Sequence, residues 1–466
     1  MRNMTRIAGA ALCALAGCRD NPLTHSTDNV VAGSPQSLQT LASGALGQTR
    51  NAAGVPVTTY FSFGAIQARD ALRLDPNDNR LTQEFFVTTP DPTSFIGSAD
   101  WRLSYVALRA ITNIYSQPAF SGLSSGDKAI TRGFFNTVKG LNYVHIAETH
   151  DSVGFAILNP DPSVLPPILC KPSGLAGVSA LLDSAYADLT AAGTSNALPF
   201  VAAGYNLKGD YTTKAGIIRF NRGLKGKVEI MRATGRQSPT GAAGFNAALA
   251  ALDIALAGAP AAPDAAFLAE GPYYLYNSAA PESYPNPIGG DVKLGLSDNF
   301  VNGYQAGDAR QANVYTVAAT QQAQGFSFTK SYVYTRGDQL STPMAQLRNA
   351  ELYLLRAEAK LGLNDLSGAT ADVNAVHVGE GRLAAYGDFT TRAQAIAALN
   401  YEYRYSLIFE GWQHLSFLRR YSLLTHAYVE QPGSPNGGAT DPLNQALPIA
   451  GNEVTARNGN ITCQAQ

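Results

Sequence analysis

Leu347-Arg348-Asn349-Ala350-Glu351-Leu352-Tyr353-Leu354-Leu355-Arg356-Ala357-Glu358-Ala359-Lys360-Leu361 reads as one amphipathic helix. Leu347, Ala350, Leu354, Ala357 and Leu361 recur three and four residues apart, which places them on one face of a 3.6-residue period. Two of the five are alanines. Small residues on a buried face let a second helix approach closely, as the paired helices of tetratricopeptide-type arrays require.

The same period extends outward in both directions. Trp101, Tyr105, Leu108, Thr112 and Tyr115 share one face, and Phe134, Val138, Leu141 and His145 share another within a helix expected over Ile130 to Glu148. Val178 to Ala192, Lys214 to Thr234 and Gly244 to Ala257 read as further helices. Ala369 to Val376 and Ala393 to Phe409 follow on the C-terminal side. No strict repeat length connects them, so any repeats have diverged. Between them, Asn159 to Gly174, Ala259 to Lys293 and Gln431 to Leu447 are rich in Pro, Gly, Asn and Ser. Loops longer than about 15 residues tend to carry function. The expected fold is all-α for the most part, a TPR-like helical-repeat scaffold with long irregular binding loops.

The first residues suggest export. Arg2 and Arg6 precede an apolar run from Ile7 to Ala16, too short for the roughly 20 residues a membrane-spanning helix needs. Leu15-Ala16-Gly17-Cys18 then has the form of a lipoprotein cleavage site, with the Cys18 thiol as the acylated group. Cys13 is a second candidate, but Ala10-Ala11-Leu12 fits less well before it. Stable anchoring follows from more than one acyl chain, at about 0.8 kcal/mol per buried methylene. The remaining pair, Cys170 and Cys463, could form a disulfide outside the inner membrane or stay free; neither has a Cys or His at metal-ligand spacing. No metal or cofactor is expected. A net charge of −1 with no basic stretch argues against nucleic acid as a partner. Charged residues make up only 15% of the chain, so uncharged hydrogen-bonding groups carry much of its polarity, which suits neutral ligands.

Seven short motifs, in order, resemble the SusD/RagB family of nutrient-binding outer-membrane lipoproteins. Asp20-Asn21-Pro22-Leu23 follows the candidate lipidated Cys, and Trp101, Tyr105 and Asn113 are similar to the family's first repeat region. Asp188-Leu189 with Leu198, the helix at 348–359, and Asp372-Val373-Asn374-Ala375-Val376 come next. Glu402, Arg404, Leu407, Phe409-Glu410-Gly411 and Arg419-Arg420 are similar to the penultimate helix, and Leu447-Pro448-Ile449 with Asn452-Glu453 and Asn458 to the closing segment. The resemblance implies a signal peptide over 1–17, an N-terminal helical-repeat region over 18–235 and a C-terminal region over 236–466. It implies a lipid-anchored protein of the outer membrane, facing the cell exterior. Such a protein captures a glycan or a peptide and passes it to a SusC-like TonB-dependent transporter. At three positions where the family carries charge this chain has Ser406, Gln413 and Ser416, and an Arg-rich turn is replaced by His377-Val378-Gly379-Glu380-Gly381. Three neutral replacements in one segment suggest that a buried ion network was exchanged as a set, because losing one partner alone would strand a buried charge.

Catalysis is not expected. Glu351 and Glu358 have the pairing a glycosidase needs, but they sit inside a regular helix beside Arg348 and Arg356, which favours structural ion pairs. His145-Ile146-Ala147-Glu148-Thr149-His150 is not a His-Glu-x-x-His motif and reads as a helix end. For binding, a sugar needs an aromatic face beside planar polar groups. Tyr273, Tyr274 and Tyr276 lie in an irregular stretch that no helical stripe claims; three such rings so close together should not all point inward, so at least one is expected on the surface. Trp101 is a further candidate, although its stripe favours the core, and Arg69, Asp70 and Arg73 could reach the same surface. Trp412 reads as packing. The rival readings are a glycan-degrading surface enzyme and a TPR-like scaffold that binds only proteins.

Overall fold

The computed structural model describes residues 34–465 apart from 56–57, 236, 278–283, 290, 333–338, 430–441 and 444–445. Cys18 and the proposed signal segment lie outside the described residues, as does most of the Gln431 to Leu447 loop.

Helices make up 55% of the described residues, and the architecture is mostly α and TPR-like, as the periodicity implies. The longer helices are α1 (Pro35–Ala53), α2 (Tyr60–Gln67), α3 (Phe95–Ile114), α4 (Ser125–His150), α5 (Lys171–Ala191), α6 (Lys214–Ala233), α7 (Ala242–Ala255), α8 (Asn349–Gly362), α9 (Leu366–Gly379), α10 (Arg392–Ser406) and α11 (Gln413–Arg420). From α3 onward each helix packs on the next in sequence, and α1 packs on α3. Their starts are set by side-chain caps. Thr391 and Gln394 form a reciprocal capping box at α10, and Thr213 caps α6. The small residues act as expected. A Cβ on Gly140 would stand 2.6 Å from Leu182 Cδ2, and one on Gly226 would stand 2.4 Å from Leu252 Cγ. Glycine at these two places lets α4 meet α5, and α6 meet α7, at close range.

One hydrophobic core takes residues from both sides of position 235, including Leu224 and Val228 of α6 together with Leu352 and Leu354 of α8. Cys170 and Cys463 are joined, which ties the C-terminal tail to the start of α5; the backbone N–H of Cys170 also donates to the Gln464 carbonyl at 2.9 Å.

Strands are few and short. A four-stranded antiparallel sheet has the order β3 (Ala71–Arg73), β5 (Leu294–Leu296), β7 (Phe326–Tyr332), β6 (Val314–Ala323). Its hairpin turns at Gln324 and Gly325, with φ of 51° and 84°. Two positive φ values in a two-residue turn match the twist of the flanking strands. Two further pairs join β1 (Gly54–Val55) to β2 (Thr58–Thr59) and β4 (Tyr273–Tyr274) to β8 (Met344–Ala345).

Candidate functional site

The tyrosine run is where structure and sequence part. Tyr273, Tyr274 and Tyr276 are 6%, 3% and 5% exposed, so the expectation of an exposed ring is corrected. The segment is not an open loop: Tyr273 pairs with Ala345 and Tyr274 with Met344. Successive strand side chains point to opposite faces, and here both faces are covered. Tyr273 donates its hydroxyl to the Ala269 carbonyl at 2.6 Å, with the Lys208 ammonium 5.1 Å from its ring centre. Tyr274 meets the edge of Phe61 at 6.0 Å.

The remaining sequence candidates are also interior. Trp101 is 2% exposed and packs on Tyr105 at 5.0 Å and edge-on to His150 at 4.9 Å. Arg69, Asp70 and Arg73, expected in a polar surface stretch, are 6%, 1% and 8% exposed. Arg69 donates to the Phe85 carbonyl and lies over the Phe86 ring. Arg73 pairs with Asp291 at 2.6 Å. Burial acts to raise the Asp70 carboxyl, but His414 and Arg404 outweigh it and hold it below the usual carboxylate range. A run of charges at the start of a buried strand therefore serves the packing of that strand, because its partners arrive from residues 291, 404 and 414. Trp412 is fully buried, as expected.

Two of the tyrosines do border empty space. A cavity of about 230 Å³ lies between α1, the turn at 201–205, β4 and the residue after β8; Ser43, Arg50, Tyr205, Tyr273, Tyr274 and Gln346 are among its walls. At roughly 30 Å³ per water this is the room of seven or eight waters. Its polar groups are only partly engaged. The Tyr205 hydroxyl donates to Gln346 Oε1 at 2.9 Å, and Arg50 Nη1 donates to the Leu275 carbonyl at 3.3 Å while its guanidinium covers the Tyr284 ring at 4.3 Å. Arg50 Nε and the Tyr274 hydroxyl are buried without a hydrogen-bond partner among the described residues. Buried polar groups are nearly always paired, so unpaired ones beside a cavity suit a hydroxyl-bearing ligand or ordered water.

Sequence reading missed Arg50, Tyr205 and Gln346, which lie on three separate segments and meet only through the fold. It also missed a second aromatic surface. Tyr304, Tyr386 and Tyr401 are half-buried, and Gln305 bonds to both Tyr386 Oη (3.0 Å) and Tyr401 Oη (2.8 Å). The Tyr401 hydroxyl donates to Asp308 at 2.7 Å. The alternation of Tyr401, Tyr403 and Tyr405 within α10 was the available signal.

The paired glutamates are structural, though with partners other than their helix neighbours. Glu351 sits 2.9 Å from Lys227 Nζ, and Lys227 also lies 3.0 Å from Glu148. Glu358 holds Arg420 and accepts the Tyr403 hydroxyl at 2.6 Å. Both glutamates are 1% exposed or less, out of reach of a substrate. Arg348 pairs instead with Glu380 and Glu410, and Arg356 with Asp372. The three neutral replacements do not form one exchanged network, which corrects that expectation. Ser406 accepts from Arg310 and Gln413 donates to Glu351, each beside charges that remain, while the Ser416 hydroxyl has no hydrogen-bond partner among the described residues. Among the described residues no group of His, Cys, Asp and Glu could hold a metal ion, and no helix is long and apolar enough to cross a membrane.

Residues 292–455 match the model of the SusD family. No curated protein matches. Solved structures match over most of the chain. A SusD superfamily protein from Parabacteroides distasonis is 12% identical with a TM-score of 0.68, covering 91% of this chain and 98% of the other. A SusD-like carbohydrate binding protein from Bacteroides vulgatus is 14% identical with a TM-score of 0.63, covering 93% and 99%. Surface glycan-binding protein A from Bacteroides thetaiotaomicron is 12% identical with a TM-score of 0.62, covering 91% and 97%. The chain is SusD/RagB-like: in fold over nine-tenths of its length, and by family match over residues 292–455.

Proposed function

We propose that this SusD/RagB-like chain is a surface-exposed, lipid-anchored outer-membrane protein that captures an oligosaccharide and delivers it to a SusC-like TonB-dependent transporter, without catalysing a reaction. The observation that carries the reading is the fold it shares with a carbohydrate binding protein over more than nine-tenths of both chains. The cavity at Tyr273, Tyr274 and Arg50 supports it, since its spare donors suit a neutral, hydroxyl-rich ligand. The structural pairing of Glu351 and Glu358 supports a binding role over a hydrolytic one. Tyr276, Trp101, Arg69, Asp70 and Arg73 enter the proposal only as the packing behind the ligand-facing groups.

Calorimetric titration of the full chain against neutral oligosaccharides and peptides tests the reading. At least one glycan should bind, with no products formed. Binding of peptides alone would transfer the assignment to a peptide-capturing relative. Arg50→Met should weaken the cognate glycan at least tenfold. If Arg50→Met changes nothing and Tyr401→Ala abolishes binding, the ligand sits at Tyr401 and the cavity drops out. Cys18→Ser should release the protein from membranes, and retention through a carbonate wash would refute the lipid anchor.

A further inference from the structure

The cavity beside β4 is open at one end and closed at the other. Ser43, Val201 and Ala203 stand at the surface, Val201 being 70% exposed, and mark a mouth between α1 and the turn at 201–205. Thr49, Tyr205, Tyr274 and Gln346 form the inner end and are 1%, 1%, 3% and 7% exposed. A space of about 230 Å³ shut on its inner side admits the tip of a chain and not its middle. Leu46 and Ala203 give it an apolar side.

The bonding groups of the wall are unevenly matched. Its acceptors already receive donors: the Leu275 carbonyl takes Arg50 Nη1 at 3.3 Å, and Gln346 Oε1 takes the Tyr205 hydroxyl at 2.9 Å. Two donors are left over, the Nε–H of Arg50 and the hydroxyl of Tyr274, both buried with no hydrogen-bond partner among the described residues. Burial holds the Tyr274 hydroxyl well above the ordinary phenol value, so it keeps its proton and remains a donor. A ligand hydroxyl placed here would bring a further proton in need of an acceptor. A carbonyl oxygen brings none and can accept two donors through its two lone pairs. Among the described residues Arg50 is the only cation of the wall, and its charge already covers the Tyr284 ring, so a neutral carbonyl enters at less desolvation cost than a carboxylate.

We propose that this cavity recognises the end unit of a glycan by an acetamido group, whose carbonyl accepts from Arg50 Nε and the Tyr274 hydroxyl while its methyl lies on the apolar side. The ligand class is a neutral N-acetylhexosamine at a chain end. The inference rests on the glycan-capture reading and specifies the unit that is captured.

Calorimetric titration of the full chain with N-acetylglucosamine, N-acetylgalactosamine, glucose, galactose and glucuronate tests it. The better acetamido sugar should bind about tenfold or more tightly than the matching hexose, the effect of one hydrogen bond to a charged group. Tyr274→Phe should remove most of that preference and leave hexose affinity unchanged. Gly47→Leu fills the cavity from α1. A Cβ at Gly47 meets nothing within 4 Å, and leucine suits a helix better than glycine, so the fold accepts the change. Affinity for the acetamido sugar should then fall about tenfold or more, and this variant decides the matter if Tyr274→Phe melts early. Equal affinity for the acetamido sugar and its hexose, glucuronate binding as tightly as the acetamido sugar, or wild-type affinity in Gly47→Leu would each overturn the inference. If a glycan without acetamido groups binds and neither acetamido sugar does, this inference falls and the capture reading stands; if no glycan binds, both fall.

Discussion

Two polar regions of the interior are built to opposite rules. Around α8 every buried carboxylate has a cation: Glu351 and Glu148 share Lys227, Glu358 holds Arg420, and Glu380 and Glu410 share Arg348. Around β4 the buried groups are neutral or singly charged, and several have no hydrogen-bond partner among the described residues, including the hydroxyls of Tyr274 and Tyr276 and Arg50 Nε. A buried charge pair adds little net stability but is costly to break. An unpaired hydroxyl costs stability unless something fills the adjacent space. The first region thus holds helices together, and the second keeps bonding capacity in reserve beside a cavity.

Lys227→Met strikes the first region hardest. It leaves two carboxylates, Glu148 and Glu351, buried without their cation. Chemical denaturation should show a loss of about 3–5 kcal/mol. Adding Glu351→Gln should recover part of it. A loss under 1 kcal/mol would mean that the ion network does not support the helices.

Acid probes the same region without mutation. Burial, with Lys227 nearby, lowers His145 to about 3, and burial lowers His150 to about 4, from an ordinary 6.5. Below pH 6.5 the unfolded chain gains these two protons and the folded chain does not, so stability falls as pH drops from 6.5 toward 4. Glu410 opposes this: burial raises it to about 7, so the fold holds its proton from pH 7 down and gains stability toward 4.5. Each group moves by about 2.5 units over its window, or on the order of 3 kcal/mol. Two groups against one leave a net loss on the order of 3 kcal/mol near pH 4. Denaturation curves at pH 7 and pH 4 measure it, and His150→Gln should flatten the difference. A protein more stable at pH 4 than at pH 7 would show that the histidines are charged in the fold.

Most helices were legible in the sequence because their burial has a period. The stripe at 130–148 falls within a helix of the structure, and those at 101–115 and 347–361 do so apart from Tyr115 and Leu347 at their ends. Helix α1 was missed although Leu38, Ala42, Ala45, Thr49 and Ala52 form a stripe behind the Ser34 cap, since mostly small residues give a faint pattern. The hairpin was missed although Phe326 and Phe328 alternate with Ser327 and Thr329 after Gln324-Gly325. Exposure was the weaker inference. Absence of period at 273–276 meant only absence of a helix, and a two-residue strand covered on both faces has no period to show. Arg69, Asp70 and Arg73 were misplaced because no local feature reveals partners more than 200 residues away.

The smallest expected effect separates the two regions most sharply, because it uses the same one-atom change in each. Tyr403→Phe removes a hydroxyl bonded to the Glu358 carboxylate at 2.6 Å, and should cost about 1.5–3 kcal/mol, the range for a hydrogen bond to a charged group. Tyr274→Phe removes a hydroxyl equally buried but without a hydrogen-bond partner among the described residues, and should leave stability unchanged or raise it by up to about 1 kcal/mol. Both rings stay, so packing is held constant and only the oxygen is tested. Ligand binding should show the reverse order: Tyr403→Phe leaves glycan affinity intact, and Tyr274→Phe lowers it by about tenfold if its hydroxyl meets the ligand. Thermal melting and calorimetric titration of the two variants read both quantities. If Tyr274→Phe costs as much stability as Tyr403→Phe, an ordered water already satisfies that hydroxyl. The cavity at β4 would then be as closed a piece of structure as the ion pairs of α8.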